Sequence, residues 1–144
     1  MKTSDPPVVV EQLFDCSRSI VWNAITVRDE MVQWFFDNIP EFKTAVGFKT
    51  QFHVKAPSRD FMHLWEVTEV IPEEKLVVKW QYEGLAGKSF VTMQLHEEND
   101  QTQFVVSTDV AEDFDDSIPE FQRESCVGGW HYFINERLFN YLAP

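Results

Sequence analysis

From residue 46 to residue 110 the hydrophobic period is two, and it holds through five consecutive segments. Val46, Phe48, Thr50, Phe52 and Val54 alternate with Gly47, Lys49, Gln51, His53 and Lys55. Phe61, His63, Trp65 and Val67 share one face of the second segment, and Leu76, Val78, Trp80 and Tyr82 one face of the third. Val91, Met93 and Leu95 form the inward set of the fourth, and Phe104, Val106, Thr108 and Val110 that of the fifth. Successive side chains of a strand point to opposite faces, so each segment predicts a strand with one buried face. The breaks are turn-like: residues 56–60 carry Pro57, residues 72–74 open on Pro72, residues 84–87 begin and end in glycine, and residues 97–101 are polar. Strands joined by such short turns form an antiparallel meander.

Before the meander, residues 8–14 are apolar and β-branched, which predicts one more strand. Residues 17–25 and 28–36 then read as two short helices, the first with Ile20, Val21, Ala24 and Ile25 on one side. A sheet with one apolar face needs a cover. Residues 117–142 are the one stretch long enough to supply it. Cys126, Val127, Trp130, Phe133, Ile134, Leu138 and Tyr141 fall within about 140° of one another on a helix of about 100° per residue. Ser117 and Glu120 have capping-box spacing, and Pro119 is tolerated in a first turn. Gly128 and Gly129 sit mid-helix at a cost of about 1 kcal/mol each against Ala, which suggests close approach to a strand. Arg123 and Arg137 project into the middle of the apolar stripe. The predicted fold is α+β: a curved antiparallel β-sheet wrapped around a long C-terminal helix, with two short helices after the first strand.

At 144 residues the chain has the size of one domain, residues 1–144, that buries roughly 70% of its unfolded surface. Residues 1–7 read as a frayed polar tail. Thirteen Phe and five Trp favour either a thick core or a lined cavity. A net charge of −12 disfavours nucleic acid and anionic membranes as partners, because phosphate binding needs clustered Lys and Arg. No apolar run approaches the length of a membrane span, and residues 1–7 lack the apolar core of a signal peptide. Cys16 and Cys126 then read as reduced thiols in a cytoplasmic protein.

Several ordered motifs resemble one family. They are Trp22-Asn23-Ala24-Ile25-Thr26, Trp34-Phe35, Val46-Gly47-Phe48, and Trp65 through Pro72 followed by Leu76-Val77-Val78-Lys79-Trp80. Val91-Thr92-Met93, Thr102 and Gly129-Trp130 continue the match, which covers residues 8–142. The set resembles the family named for the activator of heat-shock-protein-90 ATPase, in the START-like, helix-grip superfamily related to the birch pollen allergen. The resemblance implies a cavity between sheet and helix and a chaperone-cofactor role in the stress response. It also implies a small apolar or amphipathic ligand, or a heat-shock-protein-90-type chaperone, as partner. The preferred expectation is a non-enzymatic protein with no cofactor. The alternatives are an enzyme of the polyketide cyclase or aromatic hydrolase type in the same cavity, with His63 as its acid or base, and a pure protein–protein cochaperone with a filled core.

The candidate cavity lining is Phe52, His63, Trp65, Trp80, Met93, Phe104, Trp130, Arg137 and Tyr141. The four histidines lack metal-ligand spacing, and no nucleophile turn or phosphate loop is present. The carboxylate run Asp109, Glu112, Asp113, Asp115 and Asp116 is read first as a solvated loop, and second as a site for a cation or for a basic partner surface such as the chaperone's. Arg137 has three possible settings: its head carried out to water along its own stem, a pair with a carboxylate such as Glu66, or a cationic anchor for a carboxylic acid in the cavity beside Tyr141. The first is preferred.

Overall fold

The alternating segments pair into one six-stranded antiparallel sheet. The computed structural model describes residues 1–144. Its strands are β1 (Val8–Phe14), β2 (Lys49–Lys55), β3 (Asp60–Ile71), β4 (Lys75–Tyr82), β5 (Lys88–Glu98) and β6 (Gln101–Glu112). Their order is β1-β6-β5-β4-β3-β2, so hairpins join β2 through β6 and the first strand closes on the last. The β5–β6 turn has positive φ at both Asn99 and Asp100, the backbone of a two-residue hairpin. Register breaks at Val67/Glu69 and at Lys88/Ser89 bend the sheet toward its apolar face. β2 starts later than its alternation suggests. Gly47 turns the chain at φ 91°, which leaves Val46 69% exposed and outside the ladder.

Two short helices, α1 (Arg18–Thr26) and α2 (Arg28–Trp34), follow β1 and cover one end of the concave face. α2 stops one residue before Phe35, whose backbone leaves the helix. Trp34 faces the core and donates its Nε1–H to the Ala24 carbonyl at 2.8 Å. Phe35 and Phe36 instead reach over the sheet, within 6.3 Å of Trp65 and Trp80.

The terminal stretch is not one α-helix. Pro119–Phe121 is a single 3-10 turn, Gln122 is extended, and the helix proper, α3, spans residues 123–141. The expected capping box does not form. Ser117 Oγ donates to Asp115 at 2.7 Å, and Glu120 accepts from Ser58 N–H and Oγ across the β2–β3 turn. The break lets Phe121 pack against Phe61, Tyr82 and Phe114, which continuous helix would prevent. α3 is α-helical over Arg123–Trp130 and π-helical over His131–Leu138. Phe139 N–H reaches the Ile134 carbonyl five residues back. Each residue of the wider π turn advances through a smaller angle, so the buried positions fall every fourth residue at Trp130, Ile134 and Leu138. Arg137 and Tyr141, placed on the apolar stripe by α-helical spacing, are thereby turned outward and exposed.

Other expectations are corrected. The N-terminal segment is tied down: the Met1 carbonyl accepts from Phe114 N–H, Asp113 accepts from Thr3 N–H, and Arg123 donates to the Pro6 and Pro7 carbonyls at 2.6 and 3.2 Å. That last contact also removes Arg123 from the apolar stripe. Asp116 pairs with the Met1 ammonium and with Lys2, so these carboxylates hold their own chain rather than only facing water. Gly128 and Gly129 do not permit close packing, since a Cβ at either would meet nothing within 4 Å. No helix is long and apolar enough to cross a membrane.

Ile134 and Leu138 are fully buried within a cluster of 31 core residues. Ile134→Ala is expected to cost about 2–5 kcal/mol, read from the urea midpoint at unchanged slope. A cost below about 1 kcal/mol would contradict the packing of the π-helical segment.

Candidate functional site

A cavity of about 150 Å³ lies between α3 and the sheet. The strand alternation builds its floor. His63 on β3 stands opposite Tyr82 on β4, Trp80 opposite Ser89 on β5, and Val91 opposite Thr108 on β6. All six line the space. On the helix side Cys126, Gly129, Trp130 and Phe133 face it, at the spacing of successive turns. Phe35 and Phe36 close one end, and Met1, Phe114 and Phe121 the other.

Polar atoms are few and mostly paired within the lining. Trp130 Nε1–H donates to Thr108 Oγ1 at 2.9 Å, which pins the helix to β6. Trp80 Nε1–H donates to the Tyr82 hydroxyl at 2.9 Å. His63 Nδ1 lies 3.3 Å from the Phe61 carbonyl. A carbonyl only accepts, so the proton sits on Nδ1 and Nε2 is left as an acceptor. Ser89, 4% exposed, adds a hydroxyl to the floor.

Burial holds His63, Tyr82 and Cys126 neutral, while the two charged groups of the lining, Glu120 and the Met1 ammonium, are paired with Ser58 and with Asp116. The His63 ring stacks on Phe52 at 5.2 Å and meets Phe36, Trp80 and Tyr82 edge-on. Burial among these rings lowers its pKa from 6.5 to about 4, against a smaller opposite effect of the Phe61 carbonyl. Burial also pushes the Tyr82 phenol and the Cys126 thiol upward. No Lys or Arg side chain lines the space, and Glu120 at its edge is bound to Ser58. A general acid or base works best with a pKa near the operating pH, and a cysteine attacks as thiolate. His63 and Cys126 are displaced from both conditions.

The candidate lining divides three ways. His63, Trp80 and Trp130 come together at the cavity. Phe52 and Phe104 are core residues outside it, while Trp65 and Met93 wall a separate apolar void of about 10 Å³ behind Phe35. Arg137 and Tyr141 lie elsewhere. Arg137 donates to the Gln33 carbonyl at 2.8 Å and to the Tyr132 hydroxyl, and Tyr141 donates to Glu30. Arg137 is thus a surface clasp between α3 and α2, and Glu66 pairs with Lys79 instead. The sequence reading missed Phe35, Phe36, Ser89 and Gly129. The run Trp34-Phe35-Phe36 signalled the first two, because three consecutive aromatics cannot share one helix face. No group of three metal-ligating side chains assembles anywhere in the fold.

Residues 15–143 match the family described as activator of Hsp90 ATPase homolog 1-like protein. The chain belongs to this family. No curated protein matches its sequence. Among solved structures it resembles CV1439 from Chromobacterium violaceum, with TM-score 0.79 and 16% identity over 96% of this chain and 97% of that one. The solution structure of the Aha1 dimer from Colwellia psychrerythraea gives 0.73 and 18% over 96% of each chain. DynU16, from the dynemicin biosynthetic locus, gives 0.76 and 22% over 96% of this chain, which spans 47% of DynU16. At these identities the structural neighbours show the fold alone, the helix-grip arrangement of sheet and C-terminal helix.

His63 makes the site visible in a pH titration. Its pKa is lower folded than unfolded, so between about pH 6.5 and 4 the unfolded state takes up the proton first. Stability is therefore full above that window and falls as pH drops through it, by about 3 kcal/mol at pH 4. Urea unfolding of wild type and His63→Gln at pH 7.5 and 4 should show the wild type losing more by about that amount. Equal losses would contradict a neutral, buried His63.

Proposed function

We propose that this protein is a non-enzymatic binder of a small, uncharged, largely aromatic ligand held between α3 and the sheet. The observation that carries this reading is the cavity lining: aromatic rings, a neutral histidine acceptor, a serine hydroxyl, no Lys or Arg side chain, and a Met1 ammonium already paired with Asp116 and the Phe121 carbonyl. A space of about 150 Å³ is on the scale of cavities that take up small aromatic molecules. A ligand with an apolar body and one hydroxyl or amide edge would satisfy His63 Nε2 or Ser89 while the rest meets carbon. A carboxylic acid, weighed above as one possible partner of Arg137, suits this space less: the Met1 ammonium is already paired with Asp116, and burying an unpartnered anion costs several kcal/mol.

The neutral states of His63 and Cys126 support binding over catalysis. The family's description supports a chaperone of the Hsp90 type as a macromolecular partner. The cavity bears more directly on the small-molecule reading, because its polar groups face inward. Two free thiols, Cys16 and Cys126, support a reducing compartment such as the cytoplasm.

The matched pair 2-naphthol and 2-naphthoate separates these chemistries at one shape. At ten times its Kd, 2-naphthol should raise Tm by about 4 °C, and the naphthoate should not at equal concentration. Stabilisation by the anion alone, or by neither, would overturn the reading.

A further inference from the structure

We infer that Gly129 is a specificity-determining residue of this cavity, absent its side chain so that the flat face of an aromatic ligand can lie against the backbone of α3. The inference rests on the ligand-binding reading above and deepens it. Its starting point is a discrepancy. Two adjacent glycines inside a helix each weaken it relative to alanine, yet neither is needed for packing within this chain, because a Cβ at either position meets open space.

The two open spaces differ. Gly128 is exposed, and its missing side chain would point into solvent. Gly129 is half-buried and lines the cavity, between Cys126 one turn before it and Phe133 one turn after. A helical Cβ tilts toward the helix N-terminus, so a side chain at residue 129 would lean over the space toward Cys126. Its neighbours on this face are drawn aside. Trp130 is held on Thr108, and Phe133 packs edge-on against Phe35 and Phe36. At Gly129 the helix wall is therefore bare peptide.

Across the cavity from that wall stand Trp80 and His63, whose rings meet at 5.6 Å, together with Ser89. A planar ligand between them would lay its ring face on the Gly129 backbone and turn its polar edge toward the sheet. A methyl group at residue 129 would occupy the place of the ring. The cavity thus selects thin, planar molecules over branched aliphatic ones of equal volume.

Apo stability and binding should separate. Gly128→Ala and Gly129→Ala should each raise Tm by about 3 °C, since both gain helix propensity without a clash. Isothermal titration with 2-naphthol should give the same Kd for wild type and Gly128→Ala, and a Kd at least tenfold weaker for Gly129→Ala. Gly129→Leu should bind nothing. Wild-type binding with an unchanged Kd in Gly129→Ala would overturn this inference alone, as would a fall in Tm for that variant. No heat from 2-naphthol with wild type would remove the binding reading, and this inference with it.

Discussion

One helix has to cover a six-stranded sheet, and it is too narrow to do so. Six strands at about 4.8 Å spacing make a surface about 24 Å across, while a helix with its side chains is about 10–12 Å wide. The bend imposed by the two register breaks brings the flanks toward the helix, but the ends stay open. Each end is filled by a different device. α2 delivers Phe35 and Phe36 over one part of the floor, and the turn before α3 delivers Phe114 and Phe121 over the other. What remains between these plugs is the cavity. It follows from covering a concave aromatic face with one rod, and the lining residues decide what can enter.

Winding is the second consequence. Trp130, Ile134 and Leu138 must all reach the floor, and a four-residue interval drifts around an ideal α-helix over two steps. The π-helical turns reverse the sense of that drift and keep the three on one side. The same winding turns Arg137 and Tyr141 toward α2, where they bond to the Gln33 carbonyl and Glu30. The face that grips the sheet and the contacts that tie α3 to α2 share one cause.

This divides what the sequence made legible from what it did not. A period of two survives bends and bulges, so the apolar inward residues of β3 to β6 could be named, though not the polar Ser89 and Thr102, and His63 and Trp80 were found with their facing strands. The family was legible as well, from ordered short motifs that no single residue carries. The helix face was not, because it was projected at α-helical spacing and a π segment has no signature in residue type. That error alone carried Arg137 and Tyr141 into the expected site. The capping box failed for a different reason. Ser117 and Glu120 have the right spacing, but burying Phe121 between Phe61 and Tyr82 outweighs an exposed cap worth about 1 kcal/mol. Tertiary packing also explains the ordered N-terminus, whose partners Phe114 and Arg123 are more than a hundred residues away in sequence.

A ring-lined space between a bent sheet and one helix is the centre of this account, and the position of a bound ligand tests it most directly. Intermolecular nuclear Overhauser effects should connect the ring protons of bound 2-naphthol to the Gly129 Hα and to the Trp80 and His63 rings. Effects confined to Tyr132, Phe139 and Tyr141, the exposed aromatics on the outer side of α3, would place binding outside the cavity and contradict it.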